Sequence, residues 1–314
     1  MVKTIVVGAI NWDINLFVER FPRKGEEIVV KKIDRVPGGK GGNVAVAAAR
    51  LMRCNESAII GGLGKDHVGT EQVRIFEQEG VVVSGLKLSE NVESGQAYIV
   101  IDSVGANIIH TYFGANATVM PEDLDAPARR ELINEARVIT IMDPLFETAI
   151  KLSSDARRLG KILVWDPGVK SELGIRNARP VLENVDYIIA NEAEVENLTG
   201  TNDPDLASAR LAELSERLRV VAKQGSKGCI LYHDGKRRRF PSLDLEVLGM
   251  RVVNTVGCGD AFLGAFVAAI SEGRPDEEAL RWGNCAGGLK ATRPETRGSP
   301  TRETLLNHLK YCPE

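Results

Sequence analysis

Short apolar runs alternate with amphipathic segments along most of this chain, and this alternation restricts the folds that it can adopt. The runs are rich in β-branched residues and lie at Ile5–Gly8, Ala58–Gly61, Val138–Met142, Ile162–Trp165, Tyr187–Ala190 and Val220–Ala222. The segments between them have helical spacing and lie at Val44–Met52, Gly69–Gln78, Phe146–Leu159 and Asp205–Leu218. Short buried strands that alternate with helices predict an α/β fold, in which helices cover both faces of a mainly parallel sheet.

Two stretches, at about residues 14–36 and 95–113, interrupt this alternation. They are extended, with alternating apolar and polar residues and no helical period. We expect them to pair as a small β-sheet that closes over a substrate as a lid and excludes water; two irregular surface hairpins are the alternative. Because no linker, low-complexity segment or repeat divides the chain, we expect a single domain over residues 1–314.

The pattern changes after Lys223. Antiparallel strands are predicted at Cys229–His233, Arg239–Pro241 and Val247–Val253, and helices at Gly259–Ser271 and Asp276–Lys290. The basic run 236–239 follows Asp234-Gly235, which predicts the exposed strand of a hairpin rather than a polyanion site.

The overall charge excludes two classes of partner. Forty basic and 43 acidic side chains give a formal net charge of −3, so no global field attracts nucleic acid or an anionic membrane. No apolar run approaches the ~20 residues that span a bilayer. The five cysteines are scattered, without CxxC and without a metal-ligand pairing to histidine, as expected for reduced thiols in a cytoplasmic protein.

The segment Asn254–Phe262 carries the clearest chemical signal. It joins the apolar run Met250–Val253 to a predicted helix, and its glycines at 257 and 259 allow a tight turn whose N–H groups converge at the N-terminus of that helix. Such a turn binds an anion. A carboxylate there, Asp260, is suited to take the proton from a hydroxyl that attacks a bound phosphoryl group. The segment therefore predicts a small-molecule kinase.

A second glycine cluster, Gly38–Asn43, precedes an alanine-rich helix. Its four glycines allow the backbone to approach a ligand, and Lys40 and Asn43 supply polar contacts, so we predict a binding loop. A tight turn with an exposed lysine is the alternative. Asn11 and Asp13 follow the first strand, where ligands bind in open α/β sheets, although Asp13 is equally suited to cap a turn.

Asn191 and Glu194 begin another predicted helix after a strand. Their spacing places both on one helix face, where they either hold Mg²⁺ through water near phosphates or complement the helix dipole. Other nucleotide folds are disfavoured, because the chain has no G-x-x-x-x-G-K-[ST], no G-x-G-x-x-G after its first strand and no H-R-D set.

In their order along nearly the full chain, these motifs resemble those of the ribokinase-like (PfkB-type) carbohydrate kinase family. The run Gly38-Gly39-Lys40-Gly41-x-Asn43 resembles its first signature, and 254–260 resembles its second, usually written D-T-x-G-A-G-D. Further matches are Gly114-Ala115-Asn116, Asn191-Glu192-Ala193-Glu194, Lys223-x-Gly225-Ser226-Lys227-Gly228, Ala291-Thr292-Arg293-Pro294 and Ser299-Pro300-Thr301-Arg302. The resemblance implies a three-layer α/β sandwich with a β-sheet lid, and transfer of a nucleotide's terminal phosphoryl group to a hydroxymethyl oxygen.

The resemblance also implies roles for single residues. Asp260 would be the catalytic base, and the backbone from Val256 through Gly257 and Cys258 to Gly259 would be the anion hole. The acceptor would contact Asn11, Asp13, Gly39, Lys40, Asn43 and Asp143. The nucleotide would lie along Asn191, Lys223, Gly225, Gly228 and Asn284, with Glu194 near Mg²⁺. The lid would also form the clasp of a homodimer.

Three residues depart from the family pattern. Asn254 stands where most members have Asp; in ribokinases that Asp belongs to a monovalent-cation site, so K⁺ activation is left open, and its loss also resembles the phosphosugar kinases of the family. Cys258 replaces a small Ala of the anion hole. Asp143 stands near a position where ribokinases present Glu to the sugar, and the shorter acid suits a larger or differently placed acceptor.

The expected reaction is phosphoryl transfer from ATP or ADP to a ribose-type sugar. Lys40 together with Asn254 favours a sugar phosphate instead, such as ribose 1-phosphate or a hexose phosphate. A nucleoside is a further alternative, because Asp143 leaves room for one. A regulator that binds sugar or nucleotide without turnover is the remaining alternative, against which Asp260 argues because a binding module needs no base.

Overall fold

The structure is a computed structural model that describes residues 1–312. Its strands are β1 Thr4–Gly8, β2 Asn11–Phe17, β3 Lys32–Gly38, β4 Ser57–Ile60, β5 Gly62–Gly64, β6 Val81–Val82, β7 Lys87–Ser89, β8 Gly95–Ile101, β9 Asn107–Tyr112, β10 Val138–Met142, β11 Ile162–Asp166, β12 Tyr187–Asn191, β13 Arg219–Lys223, β14 Cys229–His233 and β15 Lys236–Phe240. Its helices are α1 Lys40–Ala49, α2 His67–Gln78, α3 Pro127–Glu135, α4 Phe146–Arg158, α5 Gly174–Leu182, α6 Glu192–Thr199, α7 Pro204–Ala212, α8 Cys258–Ser271, α9 Asp276–Ala291 and α10 Arg302–His308.

Nine strands form the main sheet, in the order β15-β14-β13-β12-β11-β10-β1-β4-β6. The pairs from β6 to β13 are parallel, and β14 and β15 extend the sheet as antiparallel strands. Side chains of β1 show how both faces are covered: Val6 packs into one apolar core, and Ile5 and Val7 pack into the other. The predicted α/β fold with a mainly parallel sheet is confirmed.

One face of the sheet is covered by helices that bury nearly all of their surface. In α8, every residue from 261 to 271 is buried, and the helix packs between α1 and α9. A helix that is apolar all round belongs in a protein interior rather than on its surface. The N-terminus of α8 is therefore held in place by packing along its whole length. Among residues 1–312, no helix has the length and apolar composition needed to cross a bilayer.

The two extended stretches pair with each other, as expected, in a separate sheet of order β3-β2-β8-β9. We call this sheet the lid. β2 pairs antiparallel with β3 and parallel with β8, and β9 completes the far edge with all six residues exposed. Only residue 39 separates the last residue of β3 from the first of α1. The lid is thus joined directly to a core helix.

Two local predictions are wrong. The segment Val247–Val253 is turn and loop rather than strand, and Val247, Val252 and Val253 are more than half exposed. An alternating apolar pattern predicts a strand only where a neighbouring strand is there to pair with it, and this segment has none among the described residues. The cluster Gly38–Asn43 is not a loop, because α1 begins at Lys40 and includes 41–43.

The early start of α1 has a packing reason. A Cβ added at Gly41 would lie 2.7 Å from the carbonyl carbon of Gly8 and 2.9 Å from the backbone nitrogen of Ala9, closer than real Cβ atoms approach. Glycine there lets the helix pack directly against the end of β1. Gly39 precedes the helix with φ 81°, a left-handed conformation that glycine adopts without strain. The glycines therefore serve close packing and one sharp turn.

Candidate active site

Polar side chains gather where four neighbouring strands of the main sheet end. Asp143 follows β10, Asp166 ends β11, Asn191 ends β12 and Lys223 ends β13. Because these strands are adjacent and parallel, their carboxyl ends meet at one edge, which is where open α/β sheets bind ligands. The N-terminal residues of α1 and α8 reach the same edge, as the contacts below establish.

Asp260 lies in the first turn of α8. The residue before the helix, Gly257, has φ 84°, and a Cβ added to it would collide with the carbonyl oxygen of Thr296. The Asn43 amide donates a hydrogen bond to Asp260 Oδ2 at 2.8 Å. Burial raises the pKa of the Asp260 carboxyl, and the Asn43 hydrogen bond and the Lys40 ammonium oppose that rise. A carboxylate fixed through one oxygen is thus placed beside a helix N-terminus.

The turn before α8 differs in detail from the expected anion hole. The Val256 N–H donates to the Asn254 side-chain oxygen at 2.9 Å, and the Cys258 N–H donates to the Thr255 carbonyl at 3.2 Å. Both groups already have partners inside the turn. Since the first turn of any helix leaves its N–H groups without intrahelical acceptors, the anion-binding capacity here centres on Gly257 and Gly259.

Arg297 is a component of the site that the sequence reasoning missed. Its Nε donates to Asn43 Oδ1 at 2.9 Å, one terminal nitrogen donates to the Gly38 carbonyl at 2.8 Å, and the guanidinium lies 5.1 Å from the ring centroid of Phe76. The other terminal nitrogen, Nη1, is buried without a hydrogen-bond partner within residues 1–312. Burial lowers the pKa of Arg297 to about 10. The guanidinium fixes the orientation of the Asn43 amide, which in turn holds Asp260.

Asp13 lies in the same cluster, on β2. It is 8% exposed, and a Cβ added at Gly38 would overlap its carboxylate. Burial raises the pKa of Asp13 to about 6, while the Arg297 guanidinium acts to lower it and the Asp260 carboxylate acts to raise it. Asp13, Asn43, Asp260 and Arg297 therefore form one group at the junction of lid and core, which we call the acceptor-side cluster.

Asn11 lies beside this cluster but is committed to internal hydrogen bonds. Its side-chain oxygen accepts from the Asn116 amide at 2.9 Å, and its carbonyl accepts from the Gln72 amide at 2.6 Å. The Asn116 amide also bonds both backbone groups of Ile10. These bonds fix the start of β2 and hence the base of the lid.

Lys40 opens α1 and faces carboxylates. Its ammonium lies 3.6 Å from Asp143 Oδ2 and 4.0 Å from Glu194 Oε1. Burial acts to lower the pKa of Lys40, but the surrounding carboxylates, of Asp166 and Asp143 above all, outweigh it and raise that pKa. The side chain stays 40% exposed, so the ammonium can also reach a bound ligand.

Asp143 has two properties expected of a ligand-binding carboxylate. Its backbone is left-handed, with φ 57°, which is uncommon outside glycine and frequent at functional sites. Its Oδ1 is buried and has no hydrogen-bond partner within the described residues. Burial raises its pKa to about 6, opposed by Lys40 and supported by Asp166. An unpartnered buried oxygen is suited to accept a hydrogen bond from an acceptor hydroxyl.

Lys223 and Asp166 form a buried ion pair at the ends of neighbouring strands. The Lys223 ammonium donates to Asp166 Oδ2 at 2.8 Å, and Asp166 Oδ1 accepts from the Gly168 N–H at 3.2 Å. Lys223 lies next to residues 254–259, which we call the anion-binding turn, because a Cβ added at Gly259 would be 3.4 Å from its ammonium. Asp166, which the sequence reasoning also missed, thus holds a cation at the point where a phosphoryl group would bind.

Asn191 and Glu194 form a capping box at the start of α6. The Asn191 side chain accepts from the Glu194 N–H, and the Glu194 carboxylate accepts from the Asn191 N–H, both at 2.8 Å. The second Glu194 oxygen faces Lys40. Within residues 1–312, no group of three or more His, Cys, Asp or Glu side chains is arranged to hold a metal ion. This donor set fits Mg²⁺ held largely by water and ligand phosphates rather than by a protein cage.

A cavity of about 1050 Å³ lies on the other side of the anion-binding turn. Its lining includes the predicted nucleotide residues Lys223, Gly225, Gly228 and Asn284, together with apolar side chains such as Leu243 and Phe262. The Asn284 amide donates to the Phe240 carbonyl at 3.0 Å and so fixes the end of β15. Asn191 lies at the strand position paired with Lys223, beside this lining.

The chain is similar in sequence and in fold to several known proteins. Residues 1–303 match the family model described as pfkB family carbohydrate kinase. An ATP-dependent ribose-1-phosphate kinase from Halopiger xanaduensis is 29% identical over 310 residues, covering 98% of either chain. The crystal structure of ribokinase from Thermotoga maritima has a TM-score of 0.87 at 28% identity, covering 99% of this chain and all of that one. The structure of Arabidopsis thaliana ribokinase complexed with ribose and ATP has a TM-score of 0.89 at 28% identity, with the same coverage.

Proposed function

Because the chain belongs to the pfkB family of carbohydrate kinases, we propose that it transfers the terminal phosphoryl group of ATP to the hydroxymethyl oxygen of a ribose-type sugar. One observation carries the proposal: Asn43 orients Asp260 within the acceptor-side cluster, and the two residues before it, Cys258 and Gly259, line the cavity of about 1050 Å³. The cavity takes the nucleotide, with its phosphates toward the anion-binding turn. The acceptor binds on the lid side.

The chemistry follows from that position. Asp260 takes the proton of the acceptor hydroxyl while the hydroxyl oxygen forms a bond to the γ-phosphorus of ATP. The bond from that phosphorus to the oxygen that bridges it to the β-phosphate breaks, and ADP is released. The N–H groups at Gly257 and Gly259 and the Lys223 ammonium neutralise charge on the transferring group. Asn43 fixes one oxygen of Asp260 and leaves the other for the proton.

Magnesium fits this site as a partner of the nucleotide. Glu194 would hold the ion through water, since one of its oxygens is taken by the Asn191 N–H. When bound, the ion neutralises phosphate charge. Asp166 is committed to Lys223 and Gly168 and is less available as a ligand.

Two carboxylates select the acceptor. Asp13 and the Oδ1 atom of Asp143 are buried, and each carboxylate is suited to accept hydrogen bonds from sugar hydroxyls. The exposed part of Lys40 favours a second candidate, an acceptor that already carries a phosphate, because its ammonium is within reach of the same space. The 29% identity to an ATP-dependent ribose-1-phosphate kinase supports testing that acceptor directly.

The decisive experiment is phosphoryl transfer from ATP, and in parallel ADP, to ribose, ribose 1-phosphate, fructose 6-phosphate and nucleosides. Ribose as the preferred acceptor supports the proposal, and preference for a phosphorylated sugar selects the second candidate. Nucleotide binding by calorimetry without turnover of any acceptor would overturn both and favour a binding regulator.

We also propose that two copies join through their lids. Ile33, Tyr98, Ile108, Ile109 and Tyr112 are each at least 40% exposed on the lid strands, and paired lids would cover them. Light scattering should give twice the mass of 34.1 kDa for the wild type and a monomer for Ile109→Lys. A monomeric wild type at micromolar concentration contradicts this arrangement.

We place the protein in the cytoplasm. Its donor, ATP, is a cytoplasmic nucleotide, and its five cysteines are free thiols, as expected in a reducing compartment. Fractionation with an antibody against the chain tests this.

A further inference from the structure

Lys290, in the last turn of α9, has no exposed surface. Removing an ammonium group from water costs several kcal/mol unless strong polar partners replace the solvent. Burial accordingly lowers the pKa of Lys290, and the more distant Cys258, Glu295 and Asp260 oppose this. A lysine in such a position needs a structural explanation.

The polar partners of this ammonium are two backbone carbonyl oxygens. Lys290 Nζ donates to the Asn254 carbonyl at 2.9 Å and to the Arg293 carbonyl at 3.3 Å. A lysine near a helix C-terminus commonly binds the last carbonyls of its own helix, and the Arg293 contact is of that kind. The Asn254 contact is not, because that residue belongs to the turn before α8. The ammonium therefore joins two separate loops.

Further hydrogen bonds join the two loops near this cation. The Val253 and Asn254 N–H groups donate to the Ala291 carbonyl at 2.8 and 3.1 Å, and the Asn254 amide donates to the Pro294 carbonyl at 2.8 Å. These bonds bring the carbonyls of Asn254 and Arg293 toward one point, where their negative ends repel each other. A positive charge between them removes that repulsion.

One of the joined loops leads directly into the anion-binding turn. Asn254 uses its side-chain oxygen to hold the Val256 N–H, and Gly257 follows and packs against Thr296 of the other loop. Any movement of the Asn254 carbonyl is thus passed to the N–H groups that face the phosphoryl group. Lys290 reaches none of the reacting atoms itself.

We propose that Lys290 is a positioning residue: a built-in cation that holds the 254–257 turn against the 291–296 loop, so that phosphoryl transfer needs no added monovalent cation. The inference rests on the proposed kinase function. The tethered ammonium is coordinated by carbonyl oxygens and supplies the positive charge that a bound K⁺ or NH₄⁺ ion would supply at the same point.

The test compares wild type with Lys290→Ala and Lys290→Met in tetramethylammonium buffer, with KCl or NH₄Cl added at constant ionic strength. Lys290→Ala opens a space that a small cation can fill, whereas the methionine side chain occupies it. Lys87→Ala is the matched control, because Lys87 also binds a backbone carbonyl, that of Thr118 at 2.7 Å, on the small sheet formed by β5 and β7. ADP affinity is measured by calorimetry on all four proteins, and folding by thermal unfolding.

The kcat of the wild type should change less than ~2-fold on addition of either salt. Lys290→Ala should lose ~10²-fold in kcat, the loss typical when an anion hole is disturbed, and regain at least ~10-fold with NH₄Cl or KCl. Lys290→Met should lose as much in kcat, and neither salt should restore it. Wild-type activation by K⁺, or a folded Lys290→Met with normal kcat, overturns the proposal.

The calorimetry separates the two hypotheses. If no acceptor is phosphorylated, the proposed function fails, yet salt-rescued ADP affinity in Lys290→Ala alone would still support the cation role. If ADP affinity is the same in all four proteins with and without salt, and kcat is too, the cation role fails while the kinase function stands.

Discussion

The two sides of Asp260 are built differently. On the lid side, Asp13, Asn43 and Arg297 are buried, the Asn43 side chain bonds Asp260 at 2.8 Å and Arg297 at 2.9 Å, and the Arg297 charge acts on the Asp13 carboxylate. On the other side, the cavity of about 1050 Å³ is walled largely by loops and apolar side chains. Few polar groups are needed to hold a large ligand with apolar contacts, whereas a small polyol must be recognised by placed charges. The comparison predicts that substitutions on the lid side strongly reduce use of the acceptor, whereas substitutions in the cavity wall change nucleotide binding only slightly.

Removal of the proposed base should have the largest effect. Asp260→Asn is expected to lower kcat by at least ~10²-fold, the usual contribution of a general base, because an amide cannot take the hydroxyl proton. ADP affinity should stay within ~3-fold. Asp244→Asn, on the cavity wall, is the matched control and should keep kcat. Near-native turnover by a folded Asp260→Asn would remove Asp260 from the mechanism.

Loss of Arg297 should come next and should separate the two sides. Arg297→Met frees the Asn43 amide and removes a charge-assisted hydrogen bond, worth ~1.5–3 kcal/mol, so kcat/KM for the acceptor should fall by ~10- to 100-fold. The KM for ATP should change less than ~2-fold. Arg297→Lys should recover part of the loss. Equal losses in kcat/KM for the acceptor and for ATP would mean that Arg297 supports the whole fold rather than the acceptor side.

A lower pH should reduce kcat/KM for the acceptor more than it reduces nucleotide affinity. Burial raises the pKa of Asp13 and of Asp143 to about 6, so both become protonated as the pH falls below 6 and no longer accept as many hydrogen bonds. The acceptor kcat/KM should therefore fall on the acid side of pH 6, while ADP affinity at the same pH changes less. A profile that is flat between pH 7 and 5 would contradict the burial of these two groups.

The same shifts predict an unusual stability profile. Both carboxyls have a folded-state pKa of about 6, above the ordinary value of 3.8, so the folded state binds protons more tightly than the unfolded state. Their contribution to the free energy of unfolding is present below pH ~4 and is lost as the pH rises toward 6. Denaturation between pH 4 and 7 should show that Asp143→Asn flattens the decline.

The smallest effect is expected on the nucleotide side. Val252 lines the cavity and is more than half exposed, so Val252→Ala removes only a partial apolar contact. The KM for ATP should rise by ~3-fold, ~0.7 kcal/mol, with no change for the acceptor. A tenfold or larger rise would show that this wall is as specific as the acceptor side.

The sequence predicted those parts of the site in which local chemistry and position agree. Asp260 follows Gly257 and Gly259 at a helix start, so its proposed role could be assigned from local chemistry, whereas Lys223 is assigned through the family motif 223–228 that it begins. Arg297 and Asp166 could not be. Arg297 lies between two recognisable stretches but is brought to Asn43 only by tertiary packing across 254 residues. Asp166 ends a strand like any other polar residue, and only Lys223 gives it a role.

The wrong predictions have a related cause. Val247–Val253 has the composition of a strand, yet it forms turn and loop, and Met250, Arg251 and Val252 line the cavity. The glycines at 41 and 42 lower helix propensity, but close packing on β1 outweighs that preference. In each case the partner surface, which is distant in sequence, decides the structure.

The junction between β3 and α1 has a consequence for how such a site diversifies. Only Gly39 separates the lid from the helix that carries Lys40 and Asn43, and its left-handed backbone and lack of space for a Cβ leave no other residue suited to the position. Substitutions in β3 therefore act on Lys40 and Asn43 through a residue of fixed conformation. Under the proposed roles, new acceptor preferences can arise on the lid while Asp260 and the turn before α8 are inherited unchanged.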